Sequence, residues 1–106
     1  MSGDARFLRA ASATAIMPGA FEHVAIAGHD LLICNVGGAF YAIENRCSHQ
    51  KKPLDQGRLV REGIVCPFHG ATFDVRTGAS TGFPKCRSIR HFITRVVGDD
   101  VEVALT

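Results

Sequence analysis

Two short segments separated by sixteen residues each hold one cysteine and one histidine: Arg46-Cys47-Ser48-His49, and Cys66-Pro67-Phe68-His69-Gly70. A soft thiolate and an imidazole on each segment make a four-ligand set for a transition metal, and the set closes only if the fold brings both segments to one place. Both read as loops. Pro67 and Gly70 tighten the second, and no β-branched residue occurs from Arg46 to Pro53, so nothing asks the first to be a strand. The intervening residues supply the means of closure: Gly57 to Val60 and Gly63 to Cys66 read as a hairpin turned at Arg61-Glu62, which returns the chain to where it started.

Two metals compete for such a set. Structural zinc usually pairs cysteine with cysteine and histidine with histidine within each short motif. Here each loop carries one of each. That spacing favours a dinuclear iron-sulfur cluster in which one iron takes both sulfurs and the other both nitrogens, each loop giving one ligand to each iron.

The rest of the chain reads as strands. Val, Ile and Thr make up 22 of 106 residues, and eleven glycines divide the sequence into short runs, a composition that favours an all-β domain. Phe21 to Ala27 and Leu31 to Val36 are predicted strands joined by a turn at Gly28, and Gly37-Gly38 turns the chain into Ala39 to Ile43. Ala71 to Val75 follows the second motif. A last hairpin is expected from Arg90 to Val97 with Val101 to Leu105, turned at Gly98-Asp99-Asp100, with Phe92, Thr94 and Val96 alternating. Asp4 to Met17 fits either a helix or a short strand, and is read as strand then turn.

At this length a single domain, 1–106, is expected. Twelve Lys and Arg against ten Asp and Glu give too small a net charge for a nucleic-acid partner. Neither a secretion signal nor a membrane span is apparent, so a cytoplasmic protein with no membrane partner is expected. A reducing compartment argues against disulfides. Cys34, in the apolar run Leu31 to Val36, and Cys86 are read as buried or half-buried thiols, and His23, His29 and His91 as exposed or hydrogen-bonded side chains.

The motifs C-S-H and C-P-F-H-G-A-T-F-D-V-R-T-G closely resemble the two cluster loops of the Rieske family and the strand and turn that follow, over roughly residues 39 to 80. The small size is similar to that of the ferredoxins of bacterial aromatic-ring-hydroxylating dioxygenase systems. This resemblance implies an antiparallel β-sandwich with a small cluster-binding subdomain at one end (loops about 45–53 and 66–72). It implies one [2Fe-2S] cluster with Cys47 and Cys66 on the inner iron and His49 and His69 on the outer, surface iron. The segment Ser80 to Cys86, with Pro84, resembles the family's third, shielding loop.

The implied activity is electron transfer by a monomer, from an NAD(P)H-dependent flavin reductase to a terminal oxygenase, without catalysis: four protein ligands leave no open position on either iron. Two other readings stand beside it: the Rieske-like small subunit of an assimilatory nitrite reductase, and a zinc-stabilised interaction module. High-potential members, as in respiratory bc complexes, carry an extra cysteine in each loop and a Ser and a Tyr after the second histidine. Here those positions hold Lys52, Phe68, Ala71 and Phe73, which implies a low potential. Lys51 and Lys52, directly after the first motif, are expected at the rim of the docking face, guiding an acidic partner.

Overall fold

The computed structural model describes residues 6–48, 52–68, 70–83 and 85–105. Among these residues ten strands form three antiparallel sheets. β1 (Phe7–Ser12), β10 (Asp100–Ala104) and β9 (Thr94–Val97) form the first, in that order. The second is β2 (Phe21–Ile26), β3 (His29–Val36), β4 (Ala39–Glu44) and β8 (His91–Phe92), and the third is β5 (Arg58–Val60), β6 (Gly63–Val65) and β7 (Thr72–Asp74). The all-β expectation holds, as does strand then turn near the N-terminus, where β1 runs into a single 3-10 turn at Ala13–Ala15.

The hairpin turns form where residues tolerant of a left-handed backbone sit between apolar runs. Ala27 and Gly28 (φ 50° and 80°) join β2 to β3, and Gly37 and Gly38 (φ 60° and 97°) join β3 to β4. Paired positive φ angles give the turn twist that matches paired strands. The meander pairs Phe21 with Cys34 and Cys34 with Tyr41. β3 begins at His29, two residues before the expected start, because the tight turn leaves Ile26 and His29 directly opposite one another.

The sheet β2-β3-β4-β8 is the shared wall of two cores. Leu31 and Ile33 pack with Ala11, Ala42, Val101 and Val103. Leu32 and Cys34, on the opposite face of the same strand, pack with Ile43, Leu54, Ile64, Phe73 and Val75. β3 is therefore buried on both sides from Leu31 to Asn35, which explains its unbroken apolar run. Asn35 is satisfied inside this wall: its amide donates to the Ile16 carbonyl (2.8 Å) and its Oδ1 accepts the Gly38 N–H (2.8 Å).

The last hairpin differs from expectation. Arg90 to Val97 is not one strand: β8 pairs with β4 through Ala42–Phe92 and Ile43–His91, and after Ile93 the chain changes sheets, β9 pairing with β10. Ile93 stands 66% exposed at the switch, and the Thr94 hydroxyl donates to the Phe40 carbonyl at 2.6 Å. Alternation reports which way side chains point, not which strand lies alongside, so it ran unbroken through a change of partner. Among the described residues no helix is long and apolar enough to cross a membrane.

Candidate metal centre

The first loop leaves β4 at Asn45, which is 6% exposed. Its Oδ1 accepts the N–H groups of Leu54 (2.6 Å) and Asp55 (2.9 Å), and its own N–H donates to the Asp30 carbonyl (2.8 Å). One side chain thus ties the start of the loop to its end. Inside that span, the Cys47 N–H donates to the Lys52 carbonyl (2.8 Å). The second loop joins β6 to β7 and is closed the same way: Cys66 N–H to Ala71 carbonyl at 2.7 Å, and Gly70 N–H to Cys66 carbonyl at 3.1 Å.

A third segment braces both. The Ser48 hydroxyl donates to the Arg87 carbonyl (2.6 Å), Thr81 N–H donates to Thr72 carbonyl (2.9 Å), and Cys86 N–H donates to the Ser80 hydroxyl (3.1 Å). The two loops also meet directly, where the Lys52 ammonium lies 4.7 Å from the centroid of the Phe68 ring. An exposed cation–π contact contributes about 0.5–1 kcal/mol. Lys52 is therefore engaged rather than simply solvated.

Of the four expected ligands, Cys47 and Cys66 are brought together. They are 0% and 1% exposed and belong to one core cluster with Leu54, Ile64 and Phe73. His49 and His69 lie outside the described residues, as do Gln50, Lys51 and Pro84. The other cysteines and histidines fall as expected. Cys34 is buried, and burial pushes its thiol up to about 12, keeping it protonated and inert; Cys86 is half-buried. His23 hydrogen-bonds Asp30, His29 meets the Phe92 ring edge-on, and His91 is exposed. None of the four cysteines forms a disulfide.

This donor set fits a [2Fe-2S] cluster. Two thiols from separate, internally tied loops share one dry core, and no acidic residue occurs in either loop, 45–53 or 66–72. Two thiolates and two sulfides balance two ferric ions, so the assembly can be buried without an uncompensated charge. Residues 6–93 match the model of the Rieske [2Fe-2S] domain family. The chain belongs to that family. Its cofactor is one [2Fe-2S] cluster, which decides between cluster and zinc.

Named relatives and solved Rieske structures agree. The chain is 43% identical over 75 residues to the ferredoxin component of biphenyl 2,3-dioxygenase from Rhodococcus jostii (strain RHA1), covering 71% of this chain and 70% of that one. The ferredoxin of carbazole 1,9a-dioxygenase from Nocardioides aromaticivorans IC177 superposes with a TM-score of 0.87 at 35% identity, over 92% of this chain and 96% of the other. A chain in the complex of reduced oxygenase and oxidised ferredoxin of carbazole 1,9a-dioxygenase gives 0.86 at 34% identity, over 92% of each chain.

Sequence reasoning missed two Rieske-loop residues, Asn45 and Ser48. A lone asparagine after a strand resembles any turn residue, and its signal, a polar side chain immediately before a metal motif, acquires meaning only once Leu54 and Asp55 are seen to return to it. Two glycines read only as the start of a strand (Gly57) and the end of a turn (Gly78) prove to be close-approach positions. A Cβ on Gly57 would lie 2.0 Å from the Val65 carbonyl oxygen, and one on Gly78 would lie 2.0 Å from that of Ile89.

Proposed function

We propose that this Rieske protein is the electron-carrying ferredoxin of a ring-hydroxylating oxygenase system, taking electrons from an NAD(P)H-dependent flavin reductase and delivering them to a terminal oxygenase. The observation that carries this reading is the pair of buried thiols, Cys47 and Cys66, held by two closed loops in a body matching ferredoxins of dioxygenase systems over nine-tenths of its length. His49 and His69 complete the ligand set in this reading, one per loop. The chain acts as one domain, 1–106, as a monomer in the cytoplasm, with no membrane or nucleic-acid partner.

When bound, such a cluster accepts and returns one electron at a time. The residues of the chain do the remainder. Leu54, Ile64 and Phe73 pack with Cys47 and Cys66 and wall them off from water; in this reading electrons enter and leave through His49 and His69. Asn45 and the Ser48–Arg87 bond hold the first loop in place, so little rearrangement accompanies a change of charge.

The four positions that differ from high-potential members set the potential. Ala71 and Phe73 are both fully buried and carry no hydroxyl, so neither side chain can donate a hydrogen bond to a sulfur, and each such bond raises the potential by stabilising the reduced state. Lys52 and Phe68 hold the loops together without a covalent bridge. A redox titration should give a midpoint near the bottom of the Rieske range of roughly −150 to +300 mV. A midpoint above about +100 mV on that scale would contradict a low-potential carrier.

A further inference from the structure

Charge is unevenly divided in this chain. The segments 45–53, 66–72 and 81–90 contain Arg46, Lys51, Lys52, Lys85, Arg87 and Arg90, six of the twelve basic residues, and none of the ten acidic ones. The other six basic residues share the rest of the chain with all ten acidic residues, a formal −4 against +6. Contacts join the described parts of these segments. Lys52 reaches Phe68, and Ser48 bonds the Arg87 carbonyl.

Beside the first loop, Arg46 and Arg87 line an open groove of about 260 Å³ together with Ser48, Ser88 and Glu44. Both arginines are exposed. Glu44 is the one carboxylate in the groove lining, and its Oε1 already accepts the Arg90 N–H at 2.8 Å. The Lys52 ammonium sits over an aromatic ring, and the cations lining the groove itself are the two guanidiniums, whose planar forks suit carboxylates. The same segments expose Phe68 (44%) and Phe83 (84%). Apolar anchors among basic groups have the composition of a protein-docking face.

We infer that the cluster end docks on a carboxylate-rich face of the electron acceptor, whose carboxylates enter the groove between Arg46 and Arg87. This rests on the electron-carrier reading above and adds the sign and place of recognition. A protein acceptor is favoured over a nucleic acid because the groove is lined by Ser48, the sequence neighbour of the proposed ligand His49, and a nucleic acid offers no redox centre to receive an electron. A field of this sign acts over about a Debye length, roughly 10 Å at 0.1 M salt, and raises association rates about 10- to 1000-fold at low ionic strength.

The test uses the cluster-loaded protein, reduced with dithionite and mixed by stopped flow with acidic plastocyanin or basic cytochrome c. Oxidation by plastocyanin should slow at least tenfold between about 10 and 500 mM salt, while oxidation by cytochrome c speeds up. Arg46→Glu with Arg87→Glu, its visible spectrum unchanged, should lose about tenfold with plastocyanin at low salt and gain with cytochrome c; Arg46→Gln with Arg87→Gln should move both rates the same way by less. Salt-independent rates in the parent, or double variants that match it, overturn the inference. So does retention on duplex DNA at 0.15 M salt without the plastocyanin dependence. A protein that binds no cluster fails the carrier reading instead, before any mixing.

Discussion

Cys47→Ser and Cys66→Ser should each give colourless protein with less than about a tenth of the parent's iron. A serine hydroxyl is harder and far less acidic than a thiol, so it cannot replace the thiolate, and three remaining ligands leave one iron short. The loss is local. Both cysteines sit on loops, and the second core around Leu31, Ile33, Val101 and Val103 lies on the other face of β3. Far-ultraviolet circular dichroism should keep its strand signature while iron and visible absorbance vanish. Near-full iron in either variant would remove that cysteine from the ligand set.

Gly78→Ala should be the most damaging change away from the cluster ligands. Gly78 has a φ of 81° and its Cβ would stand 2.0 Å from the Ile89 carbonyl oxygen, a backbone atom that cannot swing aside. The Ile89 N–H in turn donates to the Gly78 carbonyl at 2.8 Å, so the overlap also breaks the bond that closes the third segment over the two loops. Left-handed strain and overpacking each cost about 1–3 kcal/mol, and together about 3 kcal/mol or more. For a domain of this size that lowers the melting temperature by roughly 15 °C. Calorimetry on holo protein measures it, and a shift below about 4 °C would mean the segment relaxes freely.

Much of this was readable from residues. Cys47, His49, Cys66 and His69 were expected as ligands because thiolate and imidazole at such spacing have few other uses; the structure puts Cys47 and Cys66 in one core, and His49 and His69 lie outside the described residues. Gly37-Gly38 marked a turn because paired left-handed angles need such residues. Three features lay beyond reach for a common reason: each depends on which distant segment comes alongside. The change of sheet at Ile93, the grip of Asn45 on Leu54 and Asp55, and the meeting of Lys52 with Phe68 join residues whose local patterns are unremarkable. The basic segments are an intermediate case: the charges could be counted along the chain, but only the contacts of Ser48 and Lys52 bring the segments that carry them together.

A cluster held by two cysteines and two histidines is tested by joining metal analysis to nitrogen hyperfine spectroscopy on the dithionite-reduced protein. Two irons and two acid-labile sulfides per chain are expected, with couplings from two imidazole nitrogens that fall to one in a His49→Cys variant that still binds iron. Zinc in place of iron, or an iron-sulfur signal with no nitrogen coupling, would contradict it.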